Sequence, residues 1–133
     1  MIFHLIIQNN MSVIFCDKSG RAIFWVAEDN TRLIDESGKT HGYVEGEHVF
    51  GLDGSHRGWY LDGLLRDNDG NVVAFWSDLR TAPTCPVLPV LQQPFPVTPV
   101  SEVAPTQHVF GMTHIMPQLH LEWSAINPLA WLR

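Results

Sequence analysis

His41, His48 and His56 fall within sixteen residues, and His114 and His120 stand near the end, so imidazole chemistry is the first to weigh. A metal centre needs ligands converging from a short motif such as HxH, HExxH or a His/Cys cluster, and none occurs. No metal is expected, and the histidines read as surface or partly buried side chains. Asp17, Asp35 and Asp67 recur at regular intervals. Paired carboxylates do acid–base work, but carboxylates that recur before glycine read as turn formers. There is no Gly-x-Ser-x-Gly elbow, phosphate loop or Cys–His motif, so no catalytic residue and no cofactor is expected. Cys16 and Cys85 lack CxxC spacing. They read as reduced thiols of a cytoplasmic protein, with a single bridge as the alternative.

The residues that recur most strictly are aromatic. Gly20, Gly38, Gly54 and Gly70 are 18, 16 and 16 residues apart, and five residues after each stands Trp25, Tyr43, Trp59 or Phe75. Immediately before those aromatics stand Phe24, Gly42, Gly58 and Ala74. Five before each glycine is Phe15, Leu33, Val49 or Leu65, and three before it Asp17, Asp35, Gly51 or Asp67. Each unit therefore reads as an apolar strand, an Asp-x-x-Gly turn and a second strand carrying the aromatic. Asp suits the first position of a type I turn, and Gly supplies the positive φ that closes the hairpin through a bulge. The third unit, Gly51-Leu52-Asp53-Gly54, is expected to turn differently.

No proline precedes Pro83, which suits strands that donate hydrogen bonds along both edges. The expected fold is all-β, four repeated antiparallel β-hairpins in a pseudo-fourfold closed or flower-like meander, followed by a Pro-rich extended tail. One hairpin is unstable in water, so the four must pool their apolar residues. The fifth-offset aromatics are expected to meet at a shared centre, with Gly42, Gly58 and Ala74 admitting neighbouring backbone. Residues 12–80 would form this domain, preceded at 1–11 by an extension or added strand. Met11 is an alternative start, because the pattern begins just after it.

Three stretches carry a family likeness: Gly38-Lys-Thr-His-Gly-Tyr-Val, Val49-Phe-Gly-Leu-Asp-Gly-Ser-His-Arg-Gly-Trp-Tyr and Leu65-Arg-Asp-Asn-Asp-Gly-Asn-Val-Val-Ala-Phe. In them the chain resembles the bacterial 4-fold β-flower domain family over about residues 12 to 80. The resemblance extends loosely to a proline-repeat tail with a Trp-Ser element, here Trp123-Ser124. It implies a fold rather than a reaction.

From Pro83 to Pro105 there are seven prolines in 23 residues, and Pro86-Val-Leu-Pro-Val90 recurs ten residues on as Pro96-Val-Thr-Pro-Val100. Proline every third residue matches the turn of polyproline II, with one edge of proline and another of valine. Residues 81–106 are read as this rod and 107–133 as an apolar element, where Leu119, Leu121 and Trp123 alternate like a strand. Such a rod reads either as a semi-rigid spacer or, because it is apolar, as part of a tail that associates, through Pro86, Pro89, Phe95, Pro96, Pro99 and Trp123. Formal net charge is −6, which gives no electrostatic case for nucleic acid. The N-terminal apolar run ends at Gln8, too short for a membrane span.

The function expected is a non-enzymatic interaction or assembly module, a homo-oligomer or one that docks a protein partner through the tail. The alternative is a small-molecule binding module with Trp25, Tyr43, Trp59 and Phe75 as a central aromatic cage. Gly58-Trp59-Tyr60 beside Asp62-Gly63 is similar to choline-binding repeats, which hold quaternary ammonium by cation–π contact. An enzyme or metal-binding protein is the second alternative.

Overall fold

The computed structural model describes residues 13–79, 82, 84–92, 99–105 and 114–133. The expected N-terminal extension, Phe95 and Pro96 lie outside the described residues. Eight strands form the fold: β1 (Ile14–Cys16), β2 (Ala22–Val26), β3 (Arg32–Ile34), β4 (Thr40–Glu45), β5 (His48–Gly51), β6 (His56–Leu61), β7 (Leu64–Asp67) and β8 (Val72–Trp76). Each pairs antiparallel with the next in sequence, and β8 returns to β1, closing a barrel. Closure leaves no unpaired sheet edge.

Four turns make the tight connections. Gly20, Gly38, Gly54 and Gly70 all have φ between 81° and 87°, and each amide donates to the carbonyl three residues earlier at 2.9–3.1 Å. Asp17 and Asp35 accept at Oδ1 from the amide and hydroxyl of the serine two residues on. The third turn was expected to differ but closes in the same way, Gly54 N–H to Gly51 C=O at 3.1 Å. Its glycine sets the backbone, and Asp53 takes over the serine bonds from one position before that glycine. Gly51 stands where the other units have Asp because a Cβ there would lie 2.8 Å from the Leu132 carbonyl oxygen.

The fifth-offset aromatics do not fill the barrel. Its centre holds the residues one position earlier and their cross-strand partners: Phe15 opposite Phe24, Leu33 opposite Gly42, Val49 opposite Gly58 and Leu65 opposite Ala74. Helix α1 (Pro128–Trp131) and the following Leu132 complete that core. Cβ atoms at Gly42 and Gly58 would meet the side chains of Leu132 at 3.2 Å and Trp131 at 2.8 Å. The cross-strand carbonyl oxygens are nearer still, Phe50 at 2.5 Å from a Cβ on Gly42 and Arg66 at 1.9 Å from one on Gly58, so these glycines admit neighbouring backbone as well as the C-terminal plug. The Trp131 indole donates to the Arg57 carbonyl at 2.7 Å, which fixes its depth. Apart from α1, the expected strand around Leu119–Trp123 is a single parallel bridge between Trp123 and Val72, and Leu121 is exposed.

Candidate functional site

A β-bulge sits at the same place in every hairpin, after Phe15, Leu33, Val49 and Leu65. It gives each hairpin one outward plate of two cross-strand pairs. In the first these are Ile14–Trp25 and Cys16–Ala22, and in the second Arg32–Tyr43 and Ile34–Thr40. The third has His48–Trp59 and Phe50–His56, and the fourth Leu64–Phe75 and Arg66–Val72. The four expected cage aromatics thus stand on four different plates. All are buried, yet Trp25 and Phe75 belong to separate clusters, and Trp59 packs on two histidines. Two surface clefts of about 270 and 290 Å³ include none of the four rings. The four rings do not converge on a shared centre.

What covers these plates, where it is described, is the tail. A Cβ on Gly20 would lie 2.1 Å from the Val90 carbonyl oxygen, on Gly38 1.9 Å from that of Val100, and on Gly70 2.0 Å from that of Gln118. Two residues after each of those carbonyls the chain donates back: Gln92 N–H to Gly20 C=O, Glu102 N–H to Gly38 C=O and His120 N–H to Gly70 C=O, at 2.9–3.1 Å. The turn glycines are therefore notches as well as turns. The ten-residue recurrence of the tail carries Val90 and Val100 onto successive notches.

Two buried arginines clamp this arrangement from different plates. The Arg32 guanidinium donates to Thr40 Oγ1 at 2.9 Å, the Glu102 carbonyl at 3.1 Å and the Asp29 carboxylate at 2.5 Å. Glu102 in turn accepts from the Thr40 amide at 2.6 Å. Arg66 donates to the carbonyls of Gly70 at 2.7 Å, His120 at 2.8 Å and Thr84. Arginine serves here because its fork of donors reaches several carbonyls at once. Neither arginine was among the candidate residues, since a lone arginine in a strand carries no motif.

Of the expected tail residues, Pro86 is buried and Pro89 and Pro99 are half-buried. Leu88 and Leu91 pack with Cys16, Leu64, Val72 and Phe75. Trp123 meets Phe75 edge-on at 6.0 Å between ring centres, and Ser124 donates to Asp67 Oδ2 at 2.6 Å. By contrast Val87, Val90, Val100 and Val103 are 92%, 90%, 90% and 93% exposed. The tail presents one side to its own barrel and a valine edge to solvent.

The histidines divide. His41 pairs with Asp35 at 2.7 Å. Burial works to raise the Asp35 pKa, but bonds from Ser37, His41 and the Lys39 amide outweigh it and hold the carboxyl at about 2. The bulge puts His48 and His56 on the same outward plate: His48 Nδ1 is 3.0 Å from His56 Nε2. His114 stacks on His56 with ring centres 3.9 Å apart. Among the described residues no group of three His, Cys, Asp or Glu has the geometry to hold a metal. Both cysteines are free, and burial pushes the Cys16 thiol up to about 12, the opposite of an activated nucleophile. No helix among the described residues is long and apolar enough to cross a membrane.

A family model described as 4-fold beta flower protein matches residues 13–132. The match covers the expected likeness over 12 to 80 and its looser extension through the tail, including Trp123-Ser124, and reaches Leu132 in the barrel. No curated protein and no solved structure matches the chain.

Proposed function

The chain belongs to the 4-fold beta flower family, and from that premise we propose that it is a non-enzymatic assembly module whose docking surface is the valine edge of the tail. One observation carries this reading: four valines at 87, 90, 100 and 103 are each about nine-tenths exposed on a segment whose neighbours are clamped. Isolated exposed apolar residues are ordinary, but a spaced row held rigidly outward favours burial against another surface. The three-residue spacing within each pair is that of a proline-rich rod, which keeps both valines on one edge. A second copy of the chain carries the same edge and is the partner this reading names.

The reading takes the tail as two-sided, with prolines and leucines serving the fold and valines serving the partner. Free thiols at Cys16 and Cys85 accord with a reducing, cytoplasmic setting. Size-exclusion chromatography with light scattering on the full chain and on a Val90→Ser/Val100→Ser variant tests it. The full chain should run as an oligomer and the variant, still folded, as a monomer. A full chain that stays monomeric across the concentration range overturns the reading.

A further inference from the structure

The third plate is the one built around two imidazole rings. On it the Asn68 side chain fixes which nitrogen of His56 carries a hydrogen. The Asn68 amide nitrogen donates to the His56 carbonyl at 2.9 Å, which leaves Asn68 Oδ1 as the acceptor facing His56 Nδ1, also at 2.9 Å. His56 Nδ1 therefore carries a hydrogen, and in the neutral ring Nε2 carries a lone pair. His48 Nδ1 faces that lone pair at 3.0 Å and donates to it in the tautomer that carries its hydrogen there. A proton on His56 Nε2 would face that donor, so a charged His56 keeps the bond only if His48 carries its own hydrogen on Nε2 instead.

His114, from the tail, lies flat on the same ring at 3.9 Å and 22°. Trp59 and Phe50 pack around His56 at 4.9 and 5.4 Å between centres. The charged residues of the neighbouring turn and strand, Asp53 and Arg57, pair with each other at 3.6 Å. Among the described residues no carboxylate pairs with any of the three rings. Among the described residues the Asn68 oxygen, on Nδ1, is the group that favours a proton on the His56 ring.

We propose that His48, His56 and His114 form an acid-sensitive latch, holding the tail to the third hairpin while His56 is neutral and releasing it as the solution is acidified. Burial, then the neighbouring His114 and His48, lower the His56 pKa to about 4, against the bond from Asn68. Release of His114 removes part of that burial and one neighbouring ring, so the His56 pKa moves back toward the ordinary 6.5. The released form binds the proton more tightly, so between those values acid favours release. Single-proton linkage makes the released-to-latched ratio rise about tenfold per pH unit within that window. The latch does not depend on the valine edge, and the proposed function can fail without it.

The full chain followed by NMR from pH 7.5 to 4.5 gives the test. The stacked His114 ring protons should show contacts to the His56 ring at pH 7.5. Those contacts should disappear between pH 6.5 and 4.5 while the Glu102 amide on the second hairpin stays protected. His56→Phe, which keeps a stacking ring but cannot titrate, should retain the contacts throughout. Contacts that persist at pH 4.5, a Glu102 amide lost in parallel, or an unchanged pH response in His56→Phe each overturn the latch. Should that variant fail to fold, the direct titration of His56 in the unaltered chain decides: a midpoint near 6.5 overturns the proposal, and one well below supports it.

Discussion

The second and third hairpins bind the tail with the same backbone scaffold and opposite electrostatics. On the second plate Arg32 and Thr40 take hold of Ser101 and Glu102 with a charge that is permanent at any physiological pH. On the third, at the same repeat positions, His48 and His56 meet His114 ring to ring, with no carboxylate among the described residues paired to them. Four copies of one hairpin can thus fix a tail at some points and hold it conditionally at another.

Removing Arg32 should break the comparison most severely. Arg32→Leu leaves Asp29 and the Glu102 carbonyl without their buried donor, and the cost should be about 3 kcal/mol. That value sits at the low end for a buried pair because Glu28 and Asp29 are partly open to water. Chemical denaturation should show the loss equally at pH 7.5 and pH 5.5, unlike any loss from the third hairpin. Gly38→Ala should cost less, about 2 kcal/mol, from the positive φ of 86° together with displacement of Val100. Its signature is loss of protection at the Glu102 amide while the His120 amide on the fourth hairpin is retained.

Acid should separate the two hairpins by window. Asp35 is held at about 2, below its ordinary 3.8. Its contribution is therefore complete above pH 3.8 and is lost as pH falls toward 2. The third hairpin weakens earlier, between 6.5 and about 4, because a lowered histidine pKa favours the released form on acidification. Asp35→Asn should cost about 1 kcal/mol at neutral pH and flatten the lower window without touching the upper one. Denaturation midpoints measured from pH 7 to 2 would resolve both.

The turns were legible because Gly20, Gly38, Gly54 and Gly70 do one local thing that only glycine does readily, and the closed eight-stranded barrel follows from repeating it. The facing of the aromatics was not legible. Alternation identifies a core face only where the other face is wet, and here Phe24 and Trp25 are both buried. The bulge in each hairpin also shifts the parity, which is why His48 and His56 meet although their offsets did not suggest it. Gly42 and Gly58 read as sites of close approach, and so they are, but part of what approaches is Leu132 and Trp131, more than seventy residues away. The tail's ten-residue recurrence was visible as a pattern, while its meaning depends on the spacing of turns elsewhere in the chain.

Amide exchange of Gln92, Glu102 and His120 in the full chain at pH 7.5 tests most directly whether these turns grip the tail. Each donates to a turn glycine, so each should exchange at least about a hundredfold slower than an unstructured peptide. Exchange of all three at unstructured rates would contradict the account.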